Sequence, residues 1–92
     1  MIQSFKCADT EKLFSGIRVA RFSNTERVAL RKLEQLNLAQ VIEDMRVPPG
    51  NRMETLQGDR EGQWSVRIND QWRLCFRWEN TFALDVEIVD YH

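Results

Sequence analysis

The sequence has few of the residues that build disulfides, metal centres and membrane spans. Its 92 residues include one histidine and two cysteines, Cys7 and Cys75, which are far apart and outside any CxxC pattern. These numbers favour a reducing compartment and argue against a disulfide or a zinc-hydrolase centre. No Gly-rich phosphate loop is present, and no apolar run approaches the roughly 18 residues of a membrane span. No signal-peptide core follows Lys6. We therefore expect a cytoplasmic protein with no membrane partner, metal or small-molecule cofactor.

The sequence also has no excess of charge of either sign. Thirteen basic and 14 acidic residues give a net charge of -1. Domains that coat nucleic acid by bulk electrostatics usually have a pI above about 9. Any binding to a polyanion must therefore depend on a local patch.

The C-terminal third of the chain is rich in period-2 alternation, the pattern of strands with one buried face. Short polar links at 69–71 and 79–81 divide it into three runs, which predicts an antiparallel meander. The apolar positions of the three runs are Trp64, Val66 and Ile68; Trp72, Leu74, Phe76 and Trp78; and Phe82, Leu84, Val86 and Ile88.

The charged face of this meander follows from the same alternation. If both turns close symmetrically, Arg67 lies opposite Arg73, and Arg73 lies opposite Glu87. One interpretation is an exposed and partly ion-paired sheet face. The other is that Arg67 and Arg73 converge on an external anion. A register shift by an even number of residues keeps these arginines and Arg77 on one face.

The N-terminal half predicts one short strand and two helices. Residues 1–5 are expected to form an edge strand, and Asp9 is expected to cap a short helix. Ser23 and Glu26 have the spacing of a capping box for a second helix, which Asn37 ends. The apolar stripe of that helix comprises Ala29, Leu30, Leu33 and Leu36.

The segment after the second helix completes the predicted fold. Two prolines in 47–51 exclude both helix and central strand, and 52–56 forms a less regular first strand of the main sheet. The predicted order is β-α-α-β-β-β-β. This is an α+β fold with two N-terminal helices packed on one face of a mostly antiparallel twisted sheet, in a single domain over 1–92.

Several segments of the chain resemble one known family. The stretch GDREGQWSVRINDQWR, together with the terminal DYH, resembles the HigB branch of the RelE/ParE toxin superfamily. The likeness extends to MIQSFK at the start and to VPPGNR at 47–52. It implies a RelE-like toxin from a type II toxin–antitoxin system, on a plasmid or a chromosome. It further implies cleavage of mRNA on the translating ribosome and inhibition by a helix-turn-helix, HigA-like antitoxin.

The resemblance also implies a site. Arg73 matches the family arginine, and the last three residues match the catalytic triplet. Gln57 stands where many members have lysine, and Glu54 stands where some have histidine, so both departures remove positive charge or a proton carrier. The expected catalytic residues are Arg73, Asp90, Tyr91 and His92, and the expected substrate-binding residues are Gln57, Arg60 and Arg67.

These residue types suit metal-independent RNA cleavage, in which the 2′-hydroxyl attacks the adjacent phosphate. Histidine has an ordinary pKa of about 6.5, which makes His92 the natural proton carrier. Arg73 can bind phosphate in a bidentate manner, and Tyr91 can stack on a base. Asp90 either orients His92 or accepts the 2′-hydroxyl proton.

Two other functions share this fold. One is a non-catalytic, ParE-like toxin that binds a protein target such as gyrase. The other, suggested by Gln57, is an attenuated toxin that acts mainly as its antitoxin's partner and co-regulator.

Overall fold

A computed structural model describes residues 1–90 of the chain. Helices α1 (Ala8–Phe14) and α2 (Glu26–Leu38) precede strands β1 (Glu54–Thr55), β2 (Trp64–Arg67), β3 (Trp72–Glu79) and β4 (Phe82–Asp90). Short 3-10 turns lie at Ala20–Phe22, Ile42–Arg46, Pro49–Asn51 and Gly58–Arg60. The strands form one antiparallel sheet in the order β1-β2-β3-β4. The predicted α+β class is confirmed.

The N-terminal segment lies along the outer edge of β4. Instead of the expected strand it forms isolated parallel bridges, Ile2 with Ala83 and Phe5 with Val86. Backbone hydrogen bonds run from the Gln3 N–H to the Ala83 carbonyl (2.8 Å) and from the Lys6 N–H to the Val86 carbonyl (3.0 Å). This covers an edge that would otherwise offer unpaired backbone groups to another chain.

The hydrophobic core lies between the helices and one face of the sheet. From α2 it receives Ala29, Leu33 and Leu36, all fully buried. From β3 it receives Trp72, Leu74 and Phe76. The Trp72 ring packs edge-on against Phe22 with ring centroids 5.2 Å apart. The apolar alternation of β2 and β3 is therefore explained by core packing.

The start of α2 differs from the sequence expectation. The helix begins at Glu26 after Thr25, and no Ser23 capping box forms. The reason is the preceding turn: Phe22 is fully buried, and its carbonyl accepts a hydrogen bond from the Thr25 N–H (2.9 Å). The Thr25 hydroxyl instead accepts a hydrogen bond from Asn69 Nδ2 (3.2 Å), which ties the helix start to the β2–β3 turn.

The first hairpin has the predicted register, and the second does not. Arg67 lies opposite Arg73 as expected, but Arg73 lies opposite Val89, and Glu87 lies opposite Cys75. Two features cause the shift: the turn closes with Asn80 and Thr81 between the paired residues Glu79 and Phe82, and a β-bulge opposite Cys75 to Arg77 adds an extra residue to β4, where Asp85 has a φ of 52°. An extra residue in one strand changes which side chains face the core. Ala83 is accordingly buried, whereas Leu84 is only half-buried.

Candidate active site on the polar face of the sheet

The face of the sheet away from the helices, here called the polar face, carries a row of side chains that crosses all four strands. Glu54 pairs with Ser65, Ser65 with Cys75, and Cys75 with Glu87. Arg67 and Arg73 form the next row; Arg67 comes two residues after Ser65 in β2, and Arg73 comes two residues before Cys75 in β3. The alternation that buries the opposite face places these polar residues together.

Arg73 is held in a fixed orientation on this face. Its Nε donates to the Ser65 hydroxyl (3.0 Å), and its Nη2 donates to the Arg52 carbonyl (2.9 Å). Nη2 also lies 3.4 Å from a carboxylate oxygen of Glu54, and the Arg73 side chain is only 12% exposed. Because the guanidinium is planar, contacts to Nε and Nη2 fix both its position and its plane.

The loop before β1 presents the carbonyl that Arg73 binds. Asn51 is fully buried, and its Nδ2 donates to the carbonyls of Met45 (3.0 Å) and Val47 (3.3 Å). Its Oδ1 accepts a hydrogen bond from Lys32 of α2. Arg52 follows with a left-handed φ of 45°. The VPPGNR segment is therefore a surface connection, as expected, whose buried asparagine anchors the backbone that orients Arg73.

Arg60 occupies the other end of the polar row. Its Nη1 donates to a Glu87 carboxylate oxygen (2.8 Å) and to Gln63 Oε1 (3.2 Å). Lys6 Nζ lies 3.9 Å from the same Glu87 oxygen. These contacts place Arg60 over the β4 side of the row, while Arg73 covers the β1 side.

Cys75 lies beneath these charged side chains. Burial raises the pKa of its thiol to about 11. Glu87 acts in the same direction, while the positive charges of Arg60, Arg73 and Lys6 oppose the rise. A thiol with this pKa is protonated at neutral pH, so Cys75 serves here as a small, uncharged filler of the polar face.

The remaining predicted site residues occupy different surroundings. Arg67 forms an ion pair with Asp70 in the β2–β3 turn. Gln57 is exposed next to the 3-10 turn that carries Arg60. Asp90, the last residue of β4, lies opposite Trp72 and accepts a hydrogen bond from Gln71 Nε2 (3.1 Å). Tyr91 and His92 lie outside the described residues.

The structure therefore brings Arg67 and Arg73 together as neighbours and sets Arg60 at the opposite end of the same face. Asp90 lies one residue beyond Val89, the cross-strand partner of Arg73. Sequence reasoning missed the roles of Ser65, Glu87 and the Arg52 carbonyl. The alternation does place Ser65 on the polar face. A small polar residue between Trp64 and Val66 was the signal that could have indicated its role.

Within residues 1–90, no group of three or more histidine, cysteine, aspartate or glutamate side chains is arranged to hold a metal ion. No helix in that range is both long and apolar enough to cross a membrane.

The fold is similar to those of two bacterial proteins of known structure. Escherichia coli YafQ superposes with a TM-score of 0.64 over 98% of this chain and 93% of its own, at 12% identity. The Staphylococcus aureus YoeB–YefM complex gives a TM-score of 0.58 over 100% of this chain and 98% of the matched one, at 14% identity. At such identities the likeness shows the fold alone.

Sequence comparison defines the family. A model of HigB-like toxins, described as the RelE-like toxin of type II toxin–antitoxin system HigB, matches residues 4–92. Toxin HigB-1 of Vibrio cholerae is 48% identical over 63 residues, which are 68% of this chain and 66% of that protein. Endoribonuclease HigB of Proteus vulgaris is 39% identical over 41 residues, or 45% of each chain. The matches thus span less than two thirds of these relatives. The chain belongs to the HigB-like toxin family.

Proposed function

We propose that this protein is the toxin of a type II toxin–antitoxin system and acts as an endoribonuclease on mRNA. The family to which it belongs supports this proposal, as does the name of its Proteus relative, Endoribonuclease HigB. The finer parts of the proposal are that cleavage occurs on the translating ribosome and requires no metal ion.

One structural observation carries the proposal: the guanidinium of Arg73 is held in a fixed orientation on the polar face of the sheet. Ser65 and the Arg52 carbonyl hold the guanidinium, and the cross-strand partner of residue 73 is Val89, which directly precedes the family's terminal triplet at 90–92. A pre-oriented cation stabilises a developing phosphorane charge better than a mobile one, because no reorganisation is needed during the reaction.

The reaction proceeds by attack of a ribose 2′-hydroxyl on the adjacent phosphorus. A base takes the hydroxyl proton, the bond to the 5′-oxygen breaks, and an acid gives that oxygen a proton. The products are a 2′,3′-cyclic phosphate and a 5′-hydroxyl. We assign charge stabilisation to Arg73, proton transfer to Asp90 and His92 as a pair, and base stacking to Tyr91.

The small size and near-neutral charge of the chain explain why a ribosome is needed. A net charge of -1 gives little general attraction to RNA, whose binding depends strongly on cationic contacts. A ribosome can present the message already bent toward in-line attack, which supplies the positioning that the small protein lacks.

The proposed partner is a cognate helix-turn-helix antitoxin of the HigA type. The family description places its members in a toxin–antitoxin system, and one structural neighbour was solved as a YoeB–YefM complex. Co-expression of the cognate antitoxin is expected to restore growth by direct binding, which co-purification of the two proteins measures.

The decisive test maps mRNA ends after brief induction of the protein, with and without ongoing translation. We expect new 5′-hydroxyl ends within translated messages only. Loss of DNA supercoiling without new ends would instead identify a ParE-like toxin. Growth arrest without either would refute the proposed reaction.

A further inference from the structure

Three arginines on the polar face are each paired with a carboxylate of the same chain. Arg60 pairs with Glu87, Arg67 with Asp70, and Arg73 with Glu54. Carboxylate and phosphate offer guanidinium the same kind of oxygen pair. Each carboxylate therefore occupies part of the surface that a phosphate of RNA would use.

The three pairs differ in how readily the carboxylate can leave. Glu87 is 14% exposed and lies 2.8 Å from Arg60, with Lys6 nearby. Glu54 is 55% exposed, and its oxygen lies 3.4 Å from Arg73 Nη2. Asp70 is 99% exposed and belongs to a turn. An exposed ion pair is weak because water solvates both groups. Glu54 can therefore be displaced at small cost, whereas Glu87 cannot.

Arg73 keeps its orientation when Glu54 moves away. Its bonds to Ser65 and to the Arg52 carbonyl do not involve the Glu54 side chain. Displacement of Glu54 would thus move a carboxylate away from Nη2 of a guanidinium that stays in place. The described contact that holds the Arg67 guanidinium is the Asp70 carboxylate itself, so displacement of Asp70 would also remove what orients Arg67.

We propose that the Glu54 carboxylate competes with the RNA phosphate for Arg73 and thereby weakens the binding of RNA. This inference rests on the proposed function and extends it. A phosphate that binds Nη2 from the side of Glu54 displaces that carboxylate.

The test measures binding, without cleavage, of a short 2′-O-methyl RNA oligonucleotide to the full chain by fluorescence anisotropy at several KCl concentrations. Glu54→Gln is expected to bind about two- to five-fold more tightly than the parent, the factor that corresponds to an exposed ion pair. Asp70→Asn is the matched control, because it removes the same charge from the same face. Its gain is expected to be smaller.

A double-mutant cycle assigns the gain to Arg73. In an Arg73→Gln background, Glu54→Gln is expected to give no more than the Asp70→Asn gain, because the contested group is absent. Glu54→Ala serves as a second variant, and urea unfolding of each protein checks that it is folded. A Glu54→Gln gain that equals the Asp70→Asn gain, or that persists without Arg73, would overturn the inference.

The outcomes separate this inference from the proposed function. Tighter binding by Glu54→Gln, in a protein that never cuts mRNA, would uphold the competition and refute the nuclease. If the parent protein cleaves mRNA but Glu54→Gln leaves its affinity for RNA unchanged, the proposed nuclease function is upheld and the proposed competition is refuted.

Discussion

Replacement of Ser65 by alanine tests whether the sheet itself orients Arg73. Ser65 is fully buried, and its hydroxyl accepts a hydrogen bond from Arg73 Nε at 3.0 Å. Hydrogen bonds to charged groups contribute about 1.5–3 kcal/mol. Since Arg73 is only 12% exposed, water replaces the lost acceptor poorly. We expect Ser65→Ala to lower the free energy of unfolding by about 1.5–3 kcal/mol, measured by urea denaturation.

The control for this prediction is Ser15→Ala. The Ser15 hydroxyl donates to the Glu11 carbonyl (2.9 Å) at the exposed end of α1, so its loss is expected to cost about 0.5 kcal/mol or less. In a cleavage assay Ser65→Ala should lower kcat more than it raises KM, because Arg73 loses its orientation in the transition state. Equal stability losses in the two variants, with unchanged kcat, would refute the reasoning.

Three further predictions concern the surroundings of Arg73. Asn51→Ala removes the side chain that anchors the loop with the Arg52 carbonyl. We expect the free energy of unfolding, measured in urea, to fall by about 2–4 kcal/mol and cleavage to become slower; an unchanged urea midpoint would contradict this. The pKa of the Cys75 thiol is raised to about 11, so the folded state holds that proton more tightly than the unfolded state does, and the free energy of unfolding should fall as pH rises from 9 toward 11. Cys75→Ala should make this decline shallower; equal declines in the parent and the variant would contradict the prediction. Glu87→Gln leaves Arg60 with a weaker partner in a half-buried site and should lower the unfolding midpoint more than Asp70→Asn does.

The layers of the fold were predictable because the helix and the strands each carry a clear periodic pattern of apolar residues where they pack together. The alternation in 64–78 shows which residues are buried and also which turn joins the strands, so the pairing of Arg67 with Arg73 followed directly. The bulge in β4 could not be predicted in this way. Ala83 and Leu84 are both apolar, and nothing local indicates that Asp85 adopts a positive φ.

The candidate site was predictable in part for the same reason. The alternation put Arg67 and Arg73 on one face, and the family resemblance added Asp90, Tyr91 and His92. The partners of Arg73 depend on tertiary structure. The Arg52 carbonyl reaches Arg73 because a buried Asn51 anchors the loop. Every residue has a backbone carbonyl, so the sequence does not show which one will accept this hydrogen bond.

The most direct test of the central claim is the single-turnover cleavage rate of mRNA in purified ribosome complexes with Arg73→Ala. Removal of one pre-oriented charge-stabilising group typically costs about 10²–10³ in rate. We predict a loss of this size in a folded variant, and no cleavage by the parent protein when the attacking 2′-hydroxyl is replaced by hydrogen. Cleavage by Arg73→Ala at the parent rate would contradict the account.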